Sequence, residues 1–291
     1  VSSIGNVNSI LGLIVVFGSV IGGYVLSHGP LAILWQPNEL LIIGGAAVGT
    51  AIVSAPGRLL IRVLGALKKA FKPDIPKSSD YLDLLVLMHR MFQLMRRDGV
   101  LAMENHLGDP HKSSLFSKHP RVLHHHHALT FLLEGVKQLV DGCPPDDVGS
   151  MLETDIETIH EEELASIGLL RTTGDALPGL GIVAAVLGII ITMAHLDGGP
   201  KEIGHHVAAA LVGTFLGILL CYGLVAPLAA SLDVQAGAES RYLNCIKAGL
   251  VAAARGSNAS VALEFARRAI FPDERPSLKQ LEEAIKAIKD K

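Results

Sequence analysis

The sequence predicts an all-α polytopic membrane protein, with four membrane-crossing helices and a large helical domain between the second and third. Three observations carry this. Of 291 residues, 49% are hydrophobic and only 18% charged, whereas a soluble surface of this size needs more charge. The mean hydropathy is +0.42. The charge is also segregated: Glu39 is the only Asp, Glu, Lys or Arg before Pro56, while 58–171 is dense in both signs.

Four apolar stretches account for the crossings. Ile4–Leu26 carries no charge and exceeds the roughly 20 residues needed to span a bilayer. No basic residue precedes it, so it is expected to be a retained span rather than a cleaved signal. The second stretch, 40–53, is weaker on length and runs on through Pro56 and Gly57 toward Leu64; the third and fourth are 177–194 and 207–230. Of the 25 Lys and Arg residues, 14 lie within 57–178 and 10 within 230–291; one, Lys201, lies between the last two spans, and 27–38 holds none. Cytoplasmic loops carry the positive excess. Both termini and the large insert are therefore expected in the cytoplasm. The expected organisation is a hairpin over 1–57, a cytoplasmic helical domain over 58–174, a second hairpin over 175–231 and cytoplasmic helices over 232–291.

Within the insert, Leu82, Leu85, Met88, Phe92 and Met95 fall at helical spacing. Asp109–Pro110 and His119–Pro120 break the pattern, and Gly142 with Pro144 and Pro145 marks a turn before an acidic helix over 148–170. In the tail a helix is expected over 232–255. A charged amphipathic helix then starts at Ser277, where Gln280 suggests a capping box. The net charge of −3 gives no reason to expect nucleic acid. Cys143, Cys221 and Cys245 have neither the number nor the spacing of a disulfide framework.

Spans three and four carry the most chemistry. Gly181, Ala184, Ala185, Gly188, Thr192 and His195 share one helical face, and Ala209, Gly213, Gly217 and Cys221 recur every fourth residue with Thr214 beside them. Small residues at this spacing let helices approach closely in lipid. Close packing and a narrow path along a second protein are both consistent with them. No Asp, Glu, Lys or Arg falls inside the four apolar cores, so a proton path, which ordinarily uses such groups, needs its acid from a partner. Asp175 sits at the expected cytoplasmic mouth of span three, either as an ion exit or as a helix-start charge. Pro178 fits a first-turn proline; Pro227, inside an apolar run, is expected to kink its helix and free a carbonyl. Together they are candidate hinges. The run His124 to His127 cannot converge on one ion if all four lie on one helix at 100° per residue, so no metal site is expected. His205 and His206, at the external start of span four, are candidate modulators of ion uptake, since histidine titrates near neutrality.

The runs GDALPGLGIVAAVLG at 174–188 and VGTFLGILLCYGLVAPL at 212–228 resemble the MotA/PomA family of flagellar stator subunits. The resemblance extends along the chain through Gly22-Gly-Tyr24, Gln36-Pro-Asn-Glu39, Glu264-Phe-Ala-Arg-Arg268 and Glu274-Arg-Pro276. It implies a homopentameric ring around two copies of a MotB-type partner whose span supplies the proton-binding aspartate, with no enzymatic activity, cofactor or metal. It implies that ion flow turns the ring against the FliG rotor, driven by about 2.3 kcal/mol per charge per 100 mV. By the same resemblance, Ala185, Gly188, Thr192, Thr214 and Gly217 line the ion path, Pro178 and Pro227 couple it to a conformational step, Asp175 marks the ion exit, and Arg96, Arg97 and Glu104 meet the rotor. Sodium-driven relatives carry Thr where this chain has Ala185, which favours protons here. An ExbB/TolQ-type energiser and a stand-alone ion channel are the alternatives. The former typically has three spans and lacks the hairpin that Gln36-Pro-Asn-Glu39 opens.

Overall fold

The structure, a computed structural model, describes residues 4–72, 75–194 and 199–289. Thirteen α-helices follow one another among these residues: α1 (Ile4–Leu26), α2 (Leu31–Leu34), α3 (Pro37–Ser54), α4 (Gly57–Phe71), α5 (Ser78–Asp98), α6 (Glu104–Leu107), α7 (Pro120–His124), α8 (His126–Val140), α9 (Pro145–Ala194), α10 (Pro200–Leu220), α11 (Ala226–Ala254), α12 (Ala259–Arg268) and α13 (Leu278–Lys289). There is no strand among the described residues. The chain divides into two compact units, one formed by 1–74 with 162–235 and the other by 75–161 with 236–291.

The first unit is the membrane unit. Four helical segments in it are long and apolar enough to cross a membrane, within Ser9–Leu26, Leu31–Ser54, Pro145–Ala194 and Glu202–Ala254. Their large apolar side chains face outward: Ile14 on α1, Leu41 and Val53 on α3, Ile182 and Ile190 on α9, and Leu211 on α10 are all exposed. So much apolar surface suits a lipid environment. The second span, α3, contains the apolar run 40–53 and does not continue toward Leu64. Pro37 occupies its first turn, and Ala55, extended ahead of Pro56, ends it. Past Pro56 the chain starts a separate amphipathic helix, α4. Ion pairs of Arg62 with Glu162 and of Lys69 with Glu163 link it to α9 within this unit.

Spans three and four are parts of longer helices. The acidic helix and span three form one element, α9, of 50 residues, about 75 Å at 1.5 Å per residue. No strong breaker intervenes, and Pro178 lies in the interior of α9 rather than in a first turn. Span four continues through a π-helical turn at Cys221–Val225 into α11.

The second unit has its own core. Tyr81, Leu84, Leu85, Leu87, Met88 and Met91 of α5 are fully buried, so this helix is enclosed nearly all round instead of along the one expected stripe. Phe131 and Leu132 of α8, Leu243, Ile246 and Leu250 of α11, and Leu263 of α12 complete the core. Gly249 allows α11 to pass close to α5 and α12; an added Cβ would lie 2.4 Å from Met88 and 3.0 Å from Ala266. The acidic face of α9 is paired as well as solvated here, through Glu153 with Lys247 and Asp146 with Arg255. Ser277 and Gln280 form the expected reciprocal cap of α13, at 2.9 and 3.2 Å.

Candidate functional site

In the membrane unit α9 and α10 meet backbone to backbone. A Cβ placed on Gly181 would lie 2.7 Å from the Gly213 carbonyl oxygen, and one on Gly217 would lie 2.5 Å from the Leu177 carbonyl oxygen. On Gly188 it would lie 2.8 Å from the Ala210 Cβ. Gly188 and Gly217, both expected along the ion path, therefore sit in the contact between the two helices. Ala185 is buried, and Thr214, half-buried, brings its Cα to the Gly181 position. Thr192 is buried and its hydroxyl donates to the Gly188 carbonyl at 2.8 Å. His195 lies outside the described residues.

The two prolines loosen the helices at neighbouring points. Proline has no N–H and crowds the carbonyl four residues earlier, which is Gly174 for Pro178 and Gly223 for Pro227. The π turn ends two residues before Pro227, and such turns absorb local strain in a helix. Val225 of this turn packs on Gly174, where a Cβ would lie 2.6 Å from the Val225 side chain. The proline-weakened turn of α9 thus touches the π turn of span four. Asp175 is exposed beside Gly174 in mid-helix, so it caps no helix start.

One carboxylate that sequence reasoning set outside the apolar cores belongs to this site. Glu39 lies in the first turn of α3, inside the second candidate span, and is only 7% exposed. Its Oε2 has no hydrogen-bond partner among the described residues and lies 2.7 Å from the position of a Cβ on Gly213; Oε1 is 3.6 Å from one on Gly188. The available signal was its isolation as the sole charge before Pro56. Proximity to Gln36 and Pro37 made it read as a hairpin motif instead.

The rotor-face candidates lie in the second unit, at the end of α5. Gly99, with φ of 85°, ends the helix and turns the chain into a 3₁₀ turn, Val100–Met103, before Glu104 opens α6. Arg96 and Glu104 are exposed and form no ion pair among the described residues. Arg97 is engaged: its guanidinium donates to both oxygens of Asp98 at 2.8 and 2.7 Å and holds that carboxyl below the usual range. A cleft of about 800 Å³ opens beside them, lined by Arg90, Arg96, Arg97, His106 and Asn258.

The histidine run is interrupted. His124 ends α7, His125 lies between helices and His126 opens α8, so the premise of one continuous helix does not hold. His125 packs against the Tyr242 ring, with centroids 5.3 Å apart and planes tilted by 41°, and His127 pairs with Glu239 at 2.9 Å. Among the described residues no three His, Cys, Asp or Glu side chains converge as a metal site.

Four candidate spans in two hairpins, the second packed on glycines and loosened at two prolines, define a polytopic all-α membrane subunit. The Motility protein A N-terminal family model matches residues 10–99, and the MotA/TolQ/ExbB proton channel family model matches residues 124–244. Motility protein A of Salmonella typhimurium is 36% identical over 282 residues, 97% of this chain and 96% of that one. Chemotaxis protein LafT of Vibrio parahaemolyticus is 35% identical over 273 residues, 94% and 96% of the two chains. The fold matches the solved C. jejuni MotAB structure with a TM-score of 0.79 at 22% identity, covering 94% of this chain and 99% of that chain. It matches the flagellar MotAB stator complex from Bacillus subtilis with a TM-score of 0.73 at 24% identity, covering 88% and 92%. The chain belongs to the motility protein A family.

Proposed function

We propose that this chain is the ring subunit of a proton-driven flagellar stator, assembling as a pentamer around a MotB-type partner and turning ion flow into torque on the FliG rotor. The contact of Gly174 with Val225 carries the reading. It joins two helices at the points where proline and a π turn have removed regular hydrogen bonding, so a change at one hinge is felt at the other. The partner's span contributes the aspartate that carries the proton past Ala185 and Thr214. Ala185 offers no hydroxyl to replace part of a sodium ion's hydration shell, which favours protons as the transported ion. Asp175, exposed beside the hinge, receives the ion on the cytoplasmic side. The termini and the second unit face the cytoplasm, in keeping with the distribution of Lys and Arg.

Rotor engagement is electrostatic in this reading. Arg96 and Glu104 present opposite charges a short distance apart in sequence, and the adjoining cleft adds Arg90 and Arg97. Charged pairs of this kind steer and register an interface more than they tighten it, which suits a contact remade at every step. Arg97, already held by Asp98, contributes less than Arg96. The match of the N-terminal family model across the first hairpin favours a stator over an ExbB/TolQ-type energiser.

The test is motility in stator-deleted cells expressing this chain with its MotB-type partner. Swimming that persists without sodium and collapses with a protonophore supports the proposal. A complex that conducts protons yet never restores swimming with a compatible rotor refutes it.

A further inference from the structure

The small-residue face of spans three and four is met by a group that packing alone does not call for. Glu39 is more than nine-tenths buried, and its Oε2 makes no hydrogen bond among the described residues. It points at Gly213, where the absence of a side chain leaves room for its carboxyl group, and its Oε1 lies at ordinary contact distance, 3.6 Å, from a Cβ placed on Gly188. A leucine or alanine would fill an apolar contact without desolvating a carboxylate. Intramembrane carboxylates are costly and ordinarily mark a path for ions or protons. Its place in the first turn of α3 suits a negative charge electrostatically.

The titratable surroundings are sparse. α3 carries no other ionisable group, and α2 and the part of α9 from 176 to 194 carry none. α4 brings Arg58, Arg62, Lys68 and Lys69 only beyond the far end of α3. On α10 the first two turns hold Lys201, Glu202, His205 and His206, and Cys221 follows its end. His206 is seven residues before Gly213, two turns back on the same helical face. The membrane unit therefore offers one buried carboxyl group with imidazoles toward the end of α10 that the proposed topology places outside.

We propose that Glu39 is a proton-relay site on the external side of the ion path, a second carboxyl station besides the acid supplied by the partner. A proton taken from external water joins a Glu39 carboxylate oxygen and neutralises it. It then leaves for the partner's carboxylate, restoring the charge on Glu39. This rests on the stator reading and its orientation.

The assay is proton flux through the complex of this chain with its MotB-type partner, in vesicles enclosing a pH-sensitive dye, with external pH stepped under a potassium diffusion potential. Glu39→Gln keeps the shape and removes the titration; Glu39→Asp keeps the titration. The expected result is an assembled Glu39→Gln complex whose flux falls about tenfold or more and no longer follows external pH, with partial flux in Glu39→Asp. Flux in Glu39→Gln within about twofold of the wild type, with the same pH profile, overturns the proposal and leaves Glu39 as a packing group. Should Glu39→Gln not assemble, the wild-type complex decides by reaction with a lipid-soluble carbodiimide, which modifies protonated carboxyl groups. Modification of the Glu39 peptide that falls as external pH rises supports the relay; an unmodified Glu39 peptide overturns it. A wild-type complex that carries no protons overturns the stator reading as well.

Discussion

Gly217→Ala tests the packing of spans three and four directly. The added methyl would lie 2.5 Å from the Leu177 carbonyl oxygen, 3.0 Å from the Gly181 Cα and 3.2 Å from the Gly181 nitrogen. All three neighbours are backbone, so no flexible side chain can swing away. Restoring ordinary contact needs the helices to separate by about 1 Å, and a gap of that size forfeits a quarter to a half of the dispersion energy of nearby contacts. Overpacking of this kind costs about 1–3 kcal/mol, roughly a 5- to 150-fold change in an equilibrium constant. Gly12→Ala is the control, because nothing lies within 4 Å of its added Cβ, and it should be neutral or slightly stabilising since alanine is the better helix former. The measurement is resistance of the purified complex to a denaturing detergent titrated into a mild one, with both variants in parallel. Equal resistance of the two would refute the backbone contact between α9 and α10.

Further outcomes are expected elsewhere. Pro178→Ala and Pro227→Ala should insert and assemble normally while reducing swimming severely, read by membrane fractionation beside motility in soft agar; loss of insertion would assign the prolines to folding instead. Arg96→Glu and Glu104→Lys should each weaken motility, with Arg97→Ala milder than either because its guanidinium is already committed to Asp98; unaltered swimming in both reversals would remove these residues from the rotor contact. Glu264 accepts from Arg267 at 2.7 Å and from Arg268 at 2.8 Å, and the Arg267 hydrogen bond foremost holds its carboxyl below its ordinary value near 4.5. The stability so gained is present above that value and lost as pH falls through the lower folded value. Glu264→Gln should therefore unfold at lower temperature than the wild type near neutral pH, and the difference should shrink on acidification below about 4.

The spans were legible because lipid imposes a length and a composition that one sequence can display. The prolines were equally visible, since their chemistry is local. Helix continuity was harder to read. The run 148–170 and span three look like separate elements when an acidic face gives way to an apolar one, yet the helix absorbs the loss of one N–H at Pro178, and α9 runs through. The link from α4 to α9 was hidden for a related reason. Arg58 and Arg62 mark the end of apolar sequence, but the ion pairs to Glu162 and Glu163 that retain α4 are long-range and leave no local trace. Glu39 was missed because its significance lies in Gly213, about 175 residues further along, and only a folded arrangement brings a carboxyl group to that absent side chain.

Glycine and proline serve opposite ends of this membrane unit, and both are needed. Between Gly181 and Gly188 the two helices touch through backbone and alanine methyl groups alone, so little can shift there without a steric clash. One or two turns toward the hinge, at Leu177 and Gly217, the contact still holds; at Gly174 and Val225 it reaches the helical turns whose hydrogen bonding proline disturbs. A rigid pair ending in a soft turn bends at that turn. Force applied along the glycine contact by a proton arriving nearby would therefore be relieved at Pro178 and Pro227. A hinge built from side-chain packing alone would distribute that strain through many rotamers. In the proposed stator bending is instead concentrated at the turns before Pro178 and Pro227, so single proline replacements should impair torque while leaving the helices in the membrane.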